Sequence, residues 1–121
     1  MNSSHILLVD DNPMLLQTLA LGFRAHGFEV VTASHGIDAL MQFQAHGGNF
    51  AAILTDNDMP KMDGPTLVKN LRVHDYRGRI LVMSGRLTVS DAHAYQDLEV
   101  SVFLSKPFEI DMVATMLIQV S

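Results

Sequence analysis

The chain has 121 residues, enough for one domain that buries roughly two-thirds of the surface its unfolded form exposes, and its 48% apolar and 17% charged content excludes a disordered chain. A net charge of -5, with eight scattered Lys and Arg, argues against direct binding of nucleic-acid phosphates. With no cysteine there is no disulfide framework, thiol nucleophile or Cys-based zinc site.

Met1-Asn2-Ser3-Ser4-His5 lacks the basic stretch of a secretory signal, and no segment reaches the length of a membrane span, so a cytoplasmic location off the membrane is expected. Ile6-Leu7-Leu8-Val9 is a bare apolar run, the pattern of a strand covered on both faces, and it ends at Asp10-Asp11. Asn12 is placed to cap a helix whose first position is Pro13 and whose apolar spacing runs through Leu15, Leu19 and Phe23. Ala25-His26-Gly27 ends it, with Gly27 free to turn left-handed and His26 near the negative end of the dipole.

Val30-Val31 marks a second strand; Ile37, Leu40 and Phe43 mark a second helix, and Ala45-His46-Gly47 repeats the earlier ending. The run Ala51-Ala52-Ile53-Leu54 is a third strand that leads into Thr55-Asp56-Asn57-Asp58. Pro60 stiffens the following loop, the methionines beside it are read as packing, and Asp63 caps a third helix through Leu67 and Leu71. Ile80 to Met83 is a fourth strand ending at Ser84-Gly85. Ser90 to Leu98 carries only the thin stripe of Ala92, Ala94, Tyr95 and Leu98, and is read as a fourth helix. Val100 to Leu104 is a fifth strand, followed by Lys106-Pro107 and a last helix on Ile110, Val113 and Leu117.

Strict alternation of this kind predicts an α/β fold, a doubly wound five-stranded parallel sheet with five helices and ligands beyond the carboxyl ends of its strands. Asp10-Asp11, Asp56, Ser84 and Lys106 each follow a different strand and so share one rim. Two carboxylates held about 4 Å apart there repel by on the order of 4 kcal/mol at an effective dielectric near 20, a cost that a divalent cation removes. Hard oxygen ligands with room for water suit Mg²⁺, while the six histidines are dispersed without metal-ligand pairing. With a cation present an aspartate is a competent nucleophile toward phosphorus, and a lysine and a hydroxyl hold the remaining oxygens. Taken singly, each residue has a plainer reading: Asp10-Asp11 as helix-dipole partners, Asp56 as a turn residue, Lys106 as a solvated strand end, Ser84-Gly85 as a turn. Their joint order on one rim is what points to a site. His5, His35, His74 and His93 are read as surface or packing residues.

From Ile6 to Leu117 the chain resembles the receiver domain of bacterial response regulators, through Leu7-Leu8-Val9-Asp10-Asp11-Asn12, Leu54-Thr55-Asp56-Asn57-Asp58-Met59-Pro60 with Met62-Asp63-Gly64, Val82-Met83-Ser84-Gly85, and Phe103-Leu104-Ser105-Lys106-Pro107-Phe108. The resemblance implies a flavodoxin-like strand order 2-1-3-4-5 and a single receiver domain over 1-121. It implies Asp56 as phosphoacceptor and Mg²⁺ held by Asp11, Asp56 and the backbone carbonyl of Asp58, with Asp10 acting through water. Lys106 and Ser84 would bind the phosphoryl group, and Ser84 and Phe103 would be the switch pair, reporting to a face built from the fourth helix, fifth strand and fifth helix. A cis bond before Pro107, a histidine kinase or phosphotransfer protein as donor and a downstream output protein or domain as partner belong to the same implication. The implied activity is self-phosphorylation and self-dephosphorylation, not turnover of external substrates. Asp58 and Arg86 sit where the family tunes the lifetime of the phosphorylated state, and Leu98-Glu99-Val100 departs from its usual small-residue turn.

Three other classes share part of the pattern. Asp56-Asn57-Asp58 looks like the Asp-x-Asp of haloacid-dehalogenase phosphatases, but Pro60 and the preceding acidic pair do not match that family. A flavodoxin-like flavin carrier needs a phosphate-binding loop where Asp10-Asp11 stands. A receiver that works without phosphorylation would lack site residues that are all present here. Met1 favours a free-standing or N-terminal domain.

Overall fold

The structure is a computed structural model and describes residues 5–119. Its elements follow in the order β1 (His5–Val9), α1 (Pro13–Ala25), β2 (Glu29–Ala33), α2 (Gly36–Ala45), β3 (Ala52–Asp56), α3 (Gly64–Val73), β4 (Arg79–Ser84), α4 (Val89–Ala94), β5 (Val102–Ser105) and α5 (Ile110–Gln119). All strand pairs are parallel, in the order β2-β1-β3-β4-β5. No helix among the described residues is long and apolar enough to cross a membrane.

Period-two alternation along the inner strands divides the core between the two faces of the sheet. Ile6, Leu8, Ala52, Leu54, Leu81 and Met83 meet Leu16, Leu19, Phe23, Val113 and Leu117 of α1 and α5. Leu7, Val9, Ile53, Ile80 and Val82 meet Ala39, Phe43, Leu67, Val68 and Leu71 of α2 and α3. β3 is buried along its whole length, but the edge strands are not covered as their apolar runs predict: β2 and β5 each keep exposed positions because each has a neighbour on one side only. Val100 lies outside β5 and packs against the second core.

Helix ends follow side-chain chemistry. Asn12 Oδ1 accepts from the amides of Met14 and Leu15, Asp63 Oδ1 accepts from Thr66, and Gly27 and Gly47 adopt the left-handed turns expected after α1 and α2. His35, read as a surface or packing residue, also caps α2 through Nδ1. α4 is shorter than the sequence suggests, Val89–Ala94 in place of Ser90 to Leu98. Tyr95 closes it, the chain turns left-handed at Asp97 and Glu99, and the carbonyls of Leu98 and Glu99 bind the Arg72 guanidinium at 2.8 and 2.7 Å instead of continuing the helix. A thin stripe could not hold a longer helix on the sheet.

Candidate functional site

Parallel pairing aligns the strand ends. Val9 lies opposite Thr55, Asp56 opposite Met83, and Ser84 opposite Ser105, so the residues that leave β1, β3, β4 and β5 surround one crevice. Asp10 is fully buried there: its Oδ1 accepts from the Asn12 amide at 2.9 Å and its Oδ2 from Lys106 Nζ at 2.7 Å. Lys106 Nζ also donates to Asp56 Oδ1 at 3.1 Å, joining residues 50 positions apart in the chain. Asp11 is exposed, yet carboxylate oxygens of Asp10, Asp11 and Asp56 lie within 4.8 Å of one another. The Lys106–Pro107 bond is cis, as the resemblance implies.

The charges are not balanced. Three carboxylates gather there, and the Lys106 ammonium pairs with two of them, Asp10 and Asp56. Burial raises the Asp56 carboxyl above its ordinary value; the Lys106 hydrogen bond opposes that, and the nearby Asp10 and Asp11 charges reinforce it. Burial alone would lower Lys106, but its bonds to Asp10 and Asp56 outweigh that and hold it above the ordinary lysine value. An all-oxygen set with surplus negative charge and one open, exposed member suits a hard divalent cation of the Mg²⁺ type that keeps some of its water.

Ser84 is buried on the same rim, and its Oγ accepts from the Arg86 amide at 3.1 Å. Phe103 is 37% exposed, at the surface of β5. The Asp58 side chain is exposed, lies outside the three-carboxylate group and accepts a long, 3.4 Å bond from Asn57 Nδ2. Two residues that the sequence reading passed over adjoin the site. Asn57 is buried with its Oδ1 accepting from the Tyr95 hydroxyl at 2.6 Å, and Tyr95 packs edge-on against Phe103 with ring centres 5.6 Å apart. The signal for Tyr95 was an aromatic residue at the end of an otherwise small and polar helix. Thr55, also buried, donates to the Asp56 carbonyl at 3.1 Å.

Comparison with known proteins agrees with this geometry. The family profile of the response regulator receiver domain matches residues 6–118. The transcriptional regulatory protein PrrA of Mycobacterium tuberculosis is 37% identical over 106 residues, which make up 88% of this chain and 45% of PrrA, so the chain spans about half the length of that relative. Among solved structures, the chemotaxis protein CheY4 of Vibrio cholerae superposes with a TM-score of 0.88 at 27% identity over 100% of both chains. The CheX-CheY complex of Borrelia burgdorferi with BeF₃ and Mg²⁺ superposes with a TM-score of 0.85 at 26% identity, covering 96% of this chain and 87% of that one. Sheet order, acidic cluster and the match across nearly the whole length converge: this chain belongs to the response regulator receiver domain family, the signalling switches of two-component systems.

Proposed function

We propose that this chain takes a phosphoryl group onto Asp56 from a histidine kinase, a phosphotransfer protein or a small acyl phosphate, and loses it by hydrolysis. The observation that carries the reading is Lys106 Nζ lodged between Asp10 and Asp56 on a rim with a surplus of carboxylates. An Asp56 oxygen attacks phosphorus in line with the donor's N–P or O–P bond, which breaks as the new O–P bond forms. Lys106 takes a phosphoryl oxygen, and the Ser84 hydroxyl donates to another. Asp11, Asp56 and the Asp58 carbonyl, with Asp10 behind them, would hold a Mg²⁺ ion, which would supply positive charge to offset the incoming group. The BeF₃ and Mg²⁺ of the similar Borrelia complex support this assignment.

The switch is a population shift driven by contacts that exist only once the phosphoryl group is present. Ser84 Oγ leaves the Arg86 amide for the phosphoryl group, and Phe103 turns inward from its half-exposed place. Because Phe103 lacks a phenolic hydroxyl, packing alone separates its two positions. The α4-β5-α5 face then engages an output protein or domain in the cytoplasm, with 1-121 acting as one receiver module and with no external substrate turned over. The test is intact-mass measurement after incubation with acetyl phosphate and Mg²⁺: one labile phosphoryl group is gained by the native protein. None is gained by Asp56→Asn or in the presence of chelator, and gain by either control overturns the reading.

A further inference from the structure

α4 is an odd element to stand on a signalling face, because none of its own residues is buried and Val89 at its start is 76% exposed. The capping box between Thr88 and Asp91 keeps it helical, and the Asp91 carboxylate also meets the Asn57 side chain from an exposed position. Its buried anchor is the residue that closes it. Tyr95 is 3% exposed, and its hydroxyl donates at 2.6 Å to Oδ1 of Asn57, the residue immediately after the phosphoacceptor.

That acceptor is itself fixed. The Asn57 amide donates to the Met83 carbonyl at 2.8 Å, and its carbonyl accepts from Gly64 at 3.0 Å, so the Asn57 backbone is pinned between β4 and the start of α3. The fit is tight enough that a Cβ at Gly64 would collide with the Tyr95 hydroxyl. Burial, then the charges of Asp63, Asp91, Asp58 and Asp56, push the Tyr95 hydroxyl above the ordinary tyrosine value. The Tyr95 ring also backs Phe103 edge-on. The Tyr95 side chain therefore ties the end of α4 and the exposed aromatic of β5 to the side chain of Asn57, next to Asp56.

We infer that the Tyr95–Asn57 hydrogen bond is a latch that fixes α4 and Phe103 in the arrangement seen here, so that the α4-β5 face shifts only when this bond breaks. The inference rests on the phosphoacceptor reading of Asp56 and adds to it a restraint that acts directly on α4, separate from the Ser84 hydroxyl. By reciprocity, whatever weakens the latched arrangement favours the phosphorylated one. Tyr95→Phe keeps the ring and removes the bond. Tyr76→Phe is the matched control, since Tyr76 is the other buried tyrosine and its hydroxyl donates to the Phe50 carbonyl at 3.0 Å, away from the acidic rim.

Two readouts decide the matter. In cation-free protein, Tyr95→Phe should speed amide exchange across 89–94 severalfold more than across β3, whose exchange reports global opening. Labelling of Asp56 by acetyl phosphate with Mg²⁺ should speed up by about two- to twelvefold, the range expected for loss of one neutral hydrogen bond. Tyr76→Phe should leave both unchanged relative to its β3 exchange. Unchanged exchange at 89–94 in Tyr95→Phe, or faster exchange with an unchanged labelling rate, would overturn the latch. A native protein that takes no label would instead overturn the reading of Asp56, and exchange at 89–94 would still decide whether the bond restrains α4.

Discussion

Removing the charge of Asp56 is predicted to stabilise the cation-free protein even as it abolishes phosphorylation. The carboxyl's folded value is raised above 3.8, chiefly by burial, so the folded state binds this proton more tightly than the unfolded chain does. The resulting penalty is full above the folded value and disappears as pH falls toward the unfolded one. Asp56→Asn should therefore melt several degrees higher than native protein at pH 7 without metal, and the gap should close as pH falls toward 4. Mg²⁺ should raise the native melting temperature and move that of Asp56→Asn far less; equal shifts would place the cation elsewhere. Lys106 has the opposite linkage: raised above 10.5, it stabilises fully below that value and loses its contribution only as pH climbs through the raised one. At this scale the charged residues were legible from the sequence because each stands at the carboxyl end of an apolar run. Asn57 and Tyr95 were not, since their bond joins positions 38 apart whose own surroundings show no pattern.

Among the elements, α4 and the loop after it depend most on a neighbour. Arg72 of α3 donates to the carbonyls of Leu98, Tyr76, Gly78 and Glu99 at distances between 2.7 and 3.0 Å, so one guanidinium stitches α3 to the segment on either side of β4. Arg72→Ala should cost about 2–4 kcal/mol in urea unfolding, because several carbonyls lose a charged donor together. Arg72→Lys should recover less than half of that, as a single ammonium cannot reproduce the planar fork. Recovery to native stability by lysine would show that only the charge matters. Caps were readable at this scale, since Asn12, Asp63, Gly27 and Gly47 act through local chemistry. The end of α4 was not readable, because what stops it is a carbonyl clamp from a residue more than twenty positions earlier. Nor was the exposure of β2 and β5 readable, since an apolar run does not reveal that its strand will lie at an edge.

For the molecule as a whole, the sheet is a partition between two cores, and neighbouring residues of β3 serve opposite sides. Leu54 packs toward α1 and α5, Ile53 toward α2 and α3, and both are fully buried. Leu54→Ala and Ile53→Ala should each cost about 2–5 kcal/mol in denaturant unfolding. Their costs should add to within about 0.5 kcal/mol, because the two side chains belong to separate cores on opposite faces of the sheet. A large interaction energy would mean that the faces are coupled through the strand. The alternation of strands and helices made this architecture legible before any coordinates, and the same architecture brings four strand ends to one crevice. The account stands on that convergence, and trapping the phosphoryl adduct tests it most directly: label the protein with acetyl phosphate and Mg²⁺, reduce the acyl phosphate with borohydride, and map the altered residue by peptide mass spectrometry. The reduced residue is predicted to be Asp56 alone; modification at Asp10, Asp11 or Asp58 in its place would contradict the account.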